Sequence, residues 1–200
     1  QEIQRLVAFM KFPEFPFGLA GPGGCGKSCA FAWLIKRFLV DEYNRFGPKV
    51  FAYQKADKFQ GIAVPVEHNR TNILWLNWPS VAIVMKHLAA RREWDKPDAS
   101  LLSLIDRLRQ QPENTLLFID DFGMENIKGE KSYVQEQLEL LIDVAYGCEV
   151  KTFWTTNKTV EELADERVYG YRLMSRMAGL SPDIALPKDM PDLRVSNAYA

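Results

Sequence analysis

Gly21-Pro22-Gly23-Gly24-Cys25-Gly26-Lys27-Ser28 follows the short apolar run Phe15-Pro16-Phe17-Gly18-Leu19-Ala20 and precedes Cys29-Ala30-Phe31-Ala32-Trp33-Leu34. The order reads as strand, glycine loop, helix. A phosphate-binding loop needs that context: glycines let consecutive backbone N–H groups turn inward on an anion at a helix N-terminus, where the helix dipole also favours negative charge. In such a loop Lys27 would reach the outer phosphates and the Ser28 hydroxyl would ligate Mg²⁺.

Outward from that loop, composition sets the bounds. Two hundred residues with 47% hydrophobic content can bury a sizeable core, and the length favours one compact unit. A formal charge of -1 supplies no positive field, so contact with nucleic acid would have to come from a local basic patch. Cys25, Cys29 and Cys148 are an odd count without metal-ligand spacing, and no leader or long apolar span precedes them. A reducing, cytoplasmic setting with no membrane partner is therefore expected.

Residues 1–14, with Ile3, Leu6, Val7 and Met10 at helical spacing, read as an amphipathic lead-in. From Ser28 to about Tyr43 the set Phe31, Leu34, Ile35, Phe38 and Leu39 predicts a helix, with Ala30, Ala32 and Trp33 burying its other faces. Val50 to Tyr53 and Ile62 to Val64 read as paired strands, the second confined to an edge by Pro65. Ile73 to Leu76 is a short buried strand, followed by helices over Val81 to Ala89 and Leu101 to Leu108. Leu116-Leu117-Phe118-Ile119 is a central parallel strand ending in Asp120-Asp121, as when its C-terminal end opens on a ligand. A helix over Val134 to Ala145, a strand Thr152 to Thr155 ending at Thr156-Asn157, charged helical sequence over 160–178 and a last strand at Ile184 to Leu186 complete the pattern. Alternating strands and helices predict an α/β three-layer sandwich around a mostly parallel sheet.

In such a sheet ligands sit beyond the carboxyl ends of the strands, so Ser28, Asp120, Asp121 and Asn157 are expected to converge. Asp120 would hold the Mg²⁺ shell, Asp121 would orient and deprotonate an attacking water, and Asn157 would help fix that water. Taken alone, paired aspartates also suit a solvated turn or a helix cap, and Asn157 alone suits a turn.

GPGGCGKS, LLFIDDFG at 116–123, KTFWTTN at 151–157 and ERVYGYRLMSRMAGL at 166–180 resemble, in order and spacing, AAA+ ATPases of the DnaC/IstB type. That family includes replicative helicase loaders and ATPase helpers of transposition. The resemblance covers roughly residues 15–195, and NILWLNWPSVAIVMKHL at 72–88 is similar to the family's second strand and following helix. It implies a P-loop NTPase fold with a mostly parallel five-stranded sheet over residues 15–200, without a full helical lid domain.

The same resemblance implies roles. Gly21, Pro22, Gly23, Gly24, Cys25, Gly26, Lys27 and Ser28, with Cys29 beside them, would form the Walker A loop for ATP. Asp120 and Asp121 would be the Walker B pair, with Ser28 and Asp120 on Mg²⁺, and Asn157 would be sensor 1. Arg176 matches the arginine finger that reaches a neighbouring subunit's nucleotide, with Arg172 the alternative, and Arg194 matches the sensor 2 arginine. Two departures stand out: Asp121 replaces the glutamate many AAA+ proteins carry, and residues 54–71 form an unmatched insertion.

The family's extra helical element before Walker B, associated with single-stranded DNA, corresponds here to Lys86, Arg91, Arg92, Lys96, Arg107 and Arg109 interspersed with Glu93, Asp95, Asp98 and Asp106. As sequence that mixture is an ordinary solvated helix pair, and any DNA contact would be to phosphates without strong sequence preference. The implied function is an ATP-hydrolysing homo-oligomer acting on DNA, with a replicative helicase as first partner and a transposase as second. A nucleotide-gated scaffold with little turnover and a small-molecule P-loop kinase are the competing classes.

Overall fold

A computed structural model describes residues 15–46, 54–55, 62–63, 71–90, 99–123, 133–165 and 168–192. The lead-in at 1–14, the strand expected at 50–53, most of 54–71, Arg91, Arg92, Lys96 and Arg194 lie outside the described residues. The elements run β1 (Gly18–Ala20), α1 (Lys27–Phe46), β2 (Gln54–Lys55), β3 (Ile62–Ala63), β4 (Asn72–Asn77), α2 (Trp78–Ala90), α3 (Ala99–Gln110), β5 (Thr115–Phe122), α4 (Tyr133–Gly147), β6 (Lys151–Thr156), α5 (Val160–Ala164), α6 (Gly170–Leu180) and β7 (Asp183–Ala185).

These strands form one sheet in the order β2-β3-β4-β5-β6-β1-β7. The expected parallel five are β4, β5, β6, β1 and β7, and two short antiparallel strands extend the β4 edge. Crossover helices explain the parallel pairing, and parallel strands covered on both faces must be apolar throughout. Strand β5 obeys this: Leu116 and Phe118 pack with Phe31, Leu34 and Ile35 of α1, whereas Leu117 and Ile119 pack with Val81, Met85, Leu138 and Ile142 of α2 and α4. The period of two thus feeds two cores, giving the three layers.

On the α1 side, Phe118 and Phe153 stack with ring centroids 4.6 Å apart, and Phe17 meets Phe153 edge-on at 5.4 Å. Rings of this size, fully withdrawn from water, contribute roughly 1.5–3 kcal/mol each. On the other face the Trp154 indole lies against the backbone of Gly18 and donates to the Ser181 Oγ at 2.8 Å. A Cβ at Gly18 would sit 2.0 Å from Trp154 Cε2. Gly18→Ala is therefore expected to destabilise the chain by about 1–3 kcal/mol, read as a lower denaturation midpoint at unchanged slope.

Two sequence expectations need correction, and one gains detail. Trp33 does not bury a further face of α1: it is 43% exposed, with the Arg37 guanidinium 5.7 Å from its ring centroid. Helical spacing marks only the inward stripe, and both are on the solvent side. The helical stretch expected over 160–178 consists of two helices. Thr159 caps α5 with a reciprocal bond from Glu162, and α6 restarts at Gly170 with φ of 79°. Finally, β5 does not stop at the aspartates but continues through a register shift to Phe122. Among the described residues no helix is long and apolar enough to cross a membrane.

Candidate functional site

The loop between β1 and α1 is held at both ends. The Gly21 N–H donates to the Thr156 carbonyl at 3.2 Å, and the Ala30 N–H donates to Gly26 at 2.9 Å, starting the helix. Gly24 and Gly26 have φ of 78° and 91°. L side chains rarely adopt that region, so both positions call for glycine, and this is what curls the loop backbone inward. Lys27, the first helical residue, is only 7% exposed. Its Nζ donates to Gly21 O at 2.9 Å, Pro22 O at 2.7 Å and Asn157 Oδ1 at 2.6 Å, and lies 3.8 Å from Cys25 Sγ. These acceptors are neutral dipoles, and a buried cation solvated by dipoles is a site for an anion.

Across the sheet the tips of β5 and β6 meet the loop. The Asn157 Nδ2 donates to Asp121 Oδ1 at 2.7 Å, and the Asp121 N–H donates to Thr155 Oγ at 2.8 Å. The Thr155 hydroxyl donates in turn to Asp120 Oδ1 at 2.6 Å, and the Ser28 hydroxyl donates to the same oxygen at 3.0 Å. Lys27 and Ser28, adjacent in the chain, are thus linked through Asn157, Asp121, Thr155 and Asp120. The four residues expected to converge do so.

The register shift after Ile119 explains how two consecutive strand residues both serve this ring. A bulge re-aims a side chain that strict alternation would send to the opposite face. Here it puts Asp121 at φ of 62°, uncommon for any residue but glycine. Strain of roughly 1–2 kcal/mol at a polar cluster marks a place where geometry outranks stability. Asp121→Gly is accordingly expected to be more stable than Asp121→Ala by about 1 kcal/mol, since both lose the carboxylate but only glycine relaxes there. Parallel thermal melts would check this ordering.

Ser28 Oγ and Asp120, 3% exposed, present hard oxygens on one small locus. Mg²⁺ is commonly bound by one or two carboxylates with phosphates and water, so these residues fit it. Among the described residues no cluster of three or more His, Cys, Asp or Glu forms an all-protein cage.

No protein-family model matches the chain, and no curated protein matches it. Solved structures similar in fold include the following two. One is the DnaC helicase loader, at a TM-score of 0.56 and 17% identity, covering 92% of this chain and 87% of that one. The other is DnaI, at a TM-score of 0.56 and 16% identity, covering 94% and 81%. This chain shares the fold of these structures.

Within that fold Arg172 and Arg176 take no part in the ring. Arg176, on α6, pairs with Asp143 of α4, and Arg172 approaches the other Asp143 oxygen at 3.6 Å. Arg172 is largely exposed and Arg176 less so. Cys25, within the loop, is buried, and Cys29, just after it, is exposed. Of the basic interval before β5, Lys86 and Arg109 are exposed.

Sequence reasoning missed two members of this arrangement. Thr155 reads in sequence only as a strand residue, although the two consecutive threonines that close the strand after Phe153-Trp154 are the available signal. Asp143 sits in an amphipathic helix read for its apolar positions alone. Nothing in the sequence tied it to arginines on a different helix.

Proposed function

We propose that the protein binds ATP with Mg²⁺ at the glycine loop and hydrolyses it, acting as an oligomeric switch on DNA. The observation that carries this reading is the hydrogen-bonded ring from Lys27 to Ser28 across three neighbouring strand tips. Lys27 would turn from the Gly21 and Pro22 carbonyls to the outer phosphates, and the loop N–H groups would take the rest of their charge. Ser28 and Asp120 would hold Mg²⁺, which when bound neutralises charge on the phosphate oxygens.

Asp121 would act as base. A water oxygen attacks the terminal phosphorus, its proton passes to the Asp121 carboxylate, and ADP leaves. Asn157 sits between Lys27 and Asp121, accepting from one and donating to the other. That amide stands between the lysine and the carboxylate that would accept the water's proton. Asn157→Ala is expected to cut the turnover rate by ten- to a hundredfold while changing ATP affinity less, in single-turnover assays against equilibrium titration.

The DnaC structure is that of a helicase loader, and its fold supports helicase loading as the first reading here. Arg176 would act on a neighbouring subunit's nucleotide, so hydrolysis would depend on assembly. The deciding experiment measures phosphate release with and without single-stranded DNA for wild type, Asp121→Ala and Arg176→Ala, alongside sizing in ATP and in ADP. Turnover lost in both variants, with a larger species in ATP, supports the proposal. An ATPase indifferent to both changes defeats the site assignment, and nucleotide binding without turnover makes the protein a gated scaffold.

A further inference from the structure

After β7 the chain doubles back on the glycine loop. The Leu186 N–H donates to the Ala20 carbonyl at 2.7 Å, the Met190 N–H donates to Pro187 O at 3.2 Å, and Met190 packs on the apolar cluster shared with α1. Asp192 then arrives directly over the loop. A Cβ built on Gly24 would lie 2.1 Å from Asp192 Oδ1, 2.2 Å from its Cγ and 2.5 Å from Oδ2, so the carboxylate rests face-on against the Gly24 backbone. Gly24 is one of the two loop residues whose positive φ shapes the cradle.

This places a negative charge at a loop whose lysine and backbone N–H groups are built to select negative charge. An incoming polyphosphate therefore meets both attraction from the cradle and repulsion from Asp192, in a partly buried setting where screening is weak. We propose that Asp192 sets the affinity of the loop: its carboxylate opposes the polyphosphate chain, and filling the loop requires the 187–192 segment to yield. The inference rests on the nucleotide reading of the loop and adds a consequence. Occupancy of the loop is transmitted to the segment that follows β7, which leads in sequence to Arg194.

The test titrates the full chain, wild type and Asp192→Asn, with Mg-ATP, inorganic tripolyphosphate and adenosine. The asparagine variant is expected to bind both polyphosphates at least about tenfold tighter, corresponding to about 1.4 kcal/mol, with no gain for adenosine. The advantage should shrink as salt rises. Asp192→Ser removes the same charge and serves if the amide does not fold. Polyphosphate affinity that is unchanged or weaker in the variants, with wild type still binding, overturns this inference alone. A wild-type chain that binds neither polyphosphate overturns the nucleotide reading, and this inference with it.

Discussion

Lys27→Met is expected to weaken Mg-ATP binding by at least about a hundredfold while leaving the melting temperature unchanged or higher. In the proposed site Lys27 would give charge-assisted hydrogen bonds to the outer phosphates, each worth roughly 1.5–3 kcal/mol. The stability side has its own reason. Lys27 is buried, and its ammonium is solvated by two loop carbonyls and Asn157 rather than by a carboxylate. Replacing a desolvated charge with an apolar chain of similar length is often neutral or stabilising. Two measurements together are therefore diagnostic: calorimetric titration for affinity, thermal unfolding for the fold. A variant that loses both would mean that Lys27 is a structural plug for the loop, and one that keeps its affinity would remove the lysine from the site altogether.

The glycine loop, the Asp120-Asp121 strand end and Asn157 are legible in the sequence because each is a local pattern with a fixed place at a strand tip. Parallel order follows from alternating strands and helices, and the covered sheet forces the continuous apolar run Leu116 to Ile119. What stayed hidden was non-local or conformational. Thr155 matters because β5 and β6 are neighbours with a register shift, and a register shift leaves no mark in one sequence. The φ of 62° at Asp121 is likewise a property of the assembled tips. The break between α5 and α6 leaves little mark in the sequence, since charged residues on either side continue a helical pattern. Trp33 misled in the opposite direction, its size suggesting core where it covers the α1 surface beside Arg37. Asp192 could not have been foreseen, for its contact with Gly24 joins the two ends of the described chain.

Arg176→Ala is expected to lower the ATP turnover rate about a thousandfold or more with ATP affinity nearly intact, the range a trans-acting arginine supplies in phosphoryl transfer. The structure also supplies the obvious confounder, the pairing of Arg176 with Asp143. Removing the arginine leaves Asp143 with Arg172 at 3.6 Å, and a partly exposed pair of this kind contributes up to about 1 kcal/mol, too little to unfold a domain. Asp143→Asn separates the two roles, because it breaks the pair and retains Arg176. If the arginine works on a neighbour's nucleotide, that variant keeps turnover, whereas a purely structural pair makes both changes equivalent. Mixing supplies a stricter check. In an assembly of Arg176→Ala and Asp121→Ala subunits, some interfaces combine an intact Asp121 site with an intact Arg176 from the adjoining copy. Activity should therefore reappear on mixing two inactive proteins. Mixtures as dead as their components would place Arg176 outside the reaction, whatever its resemblance suggests.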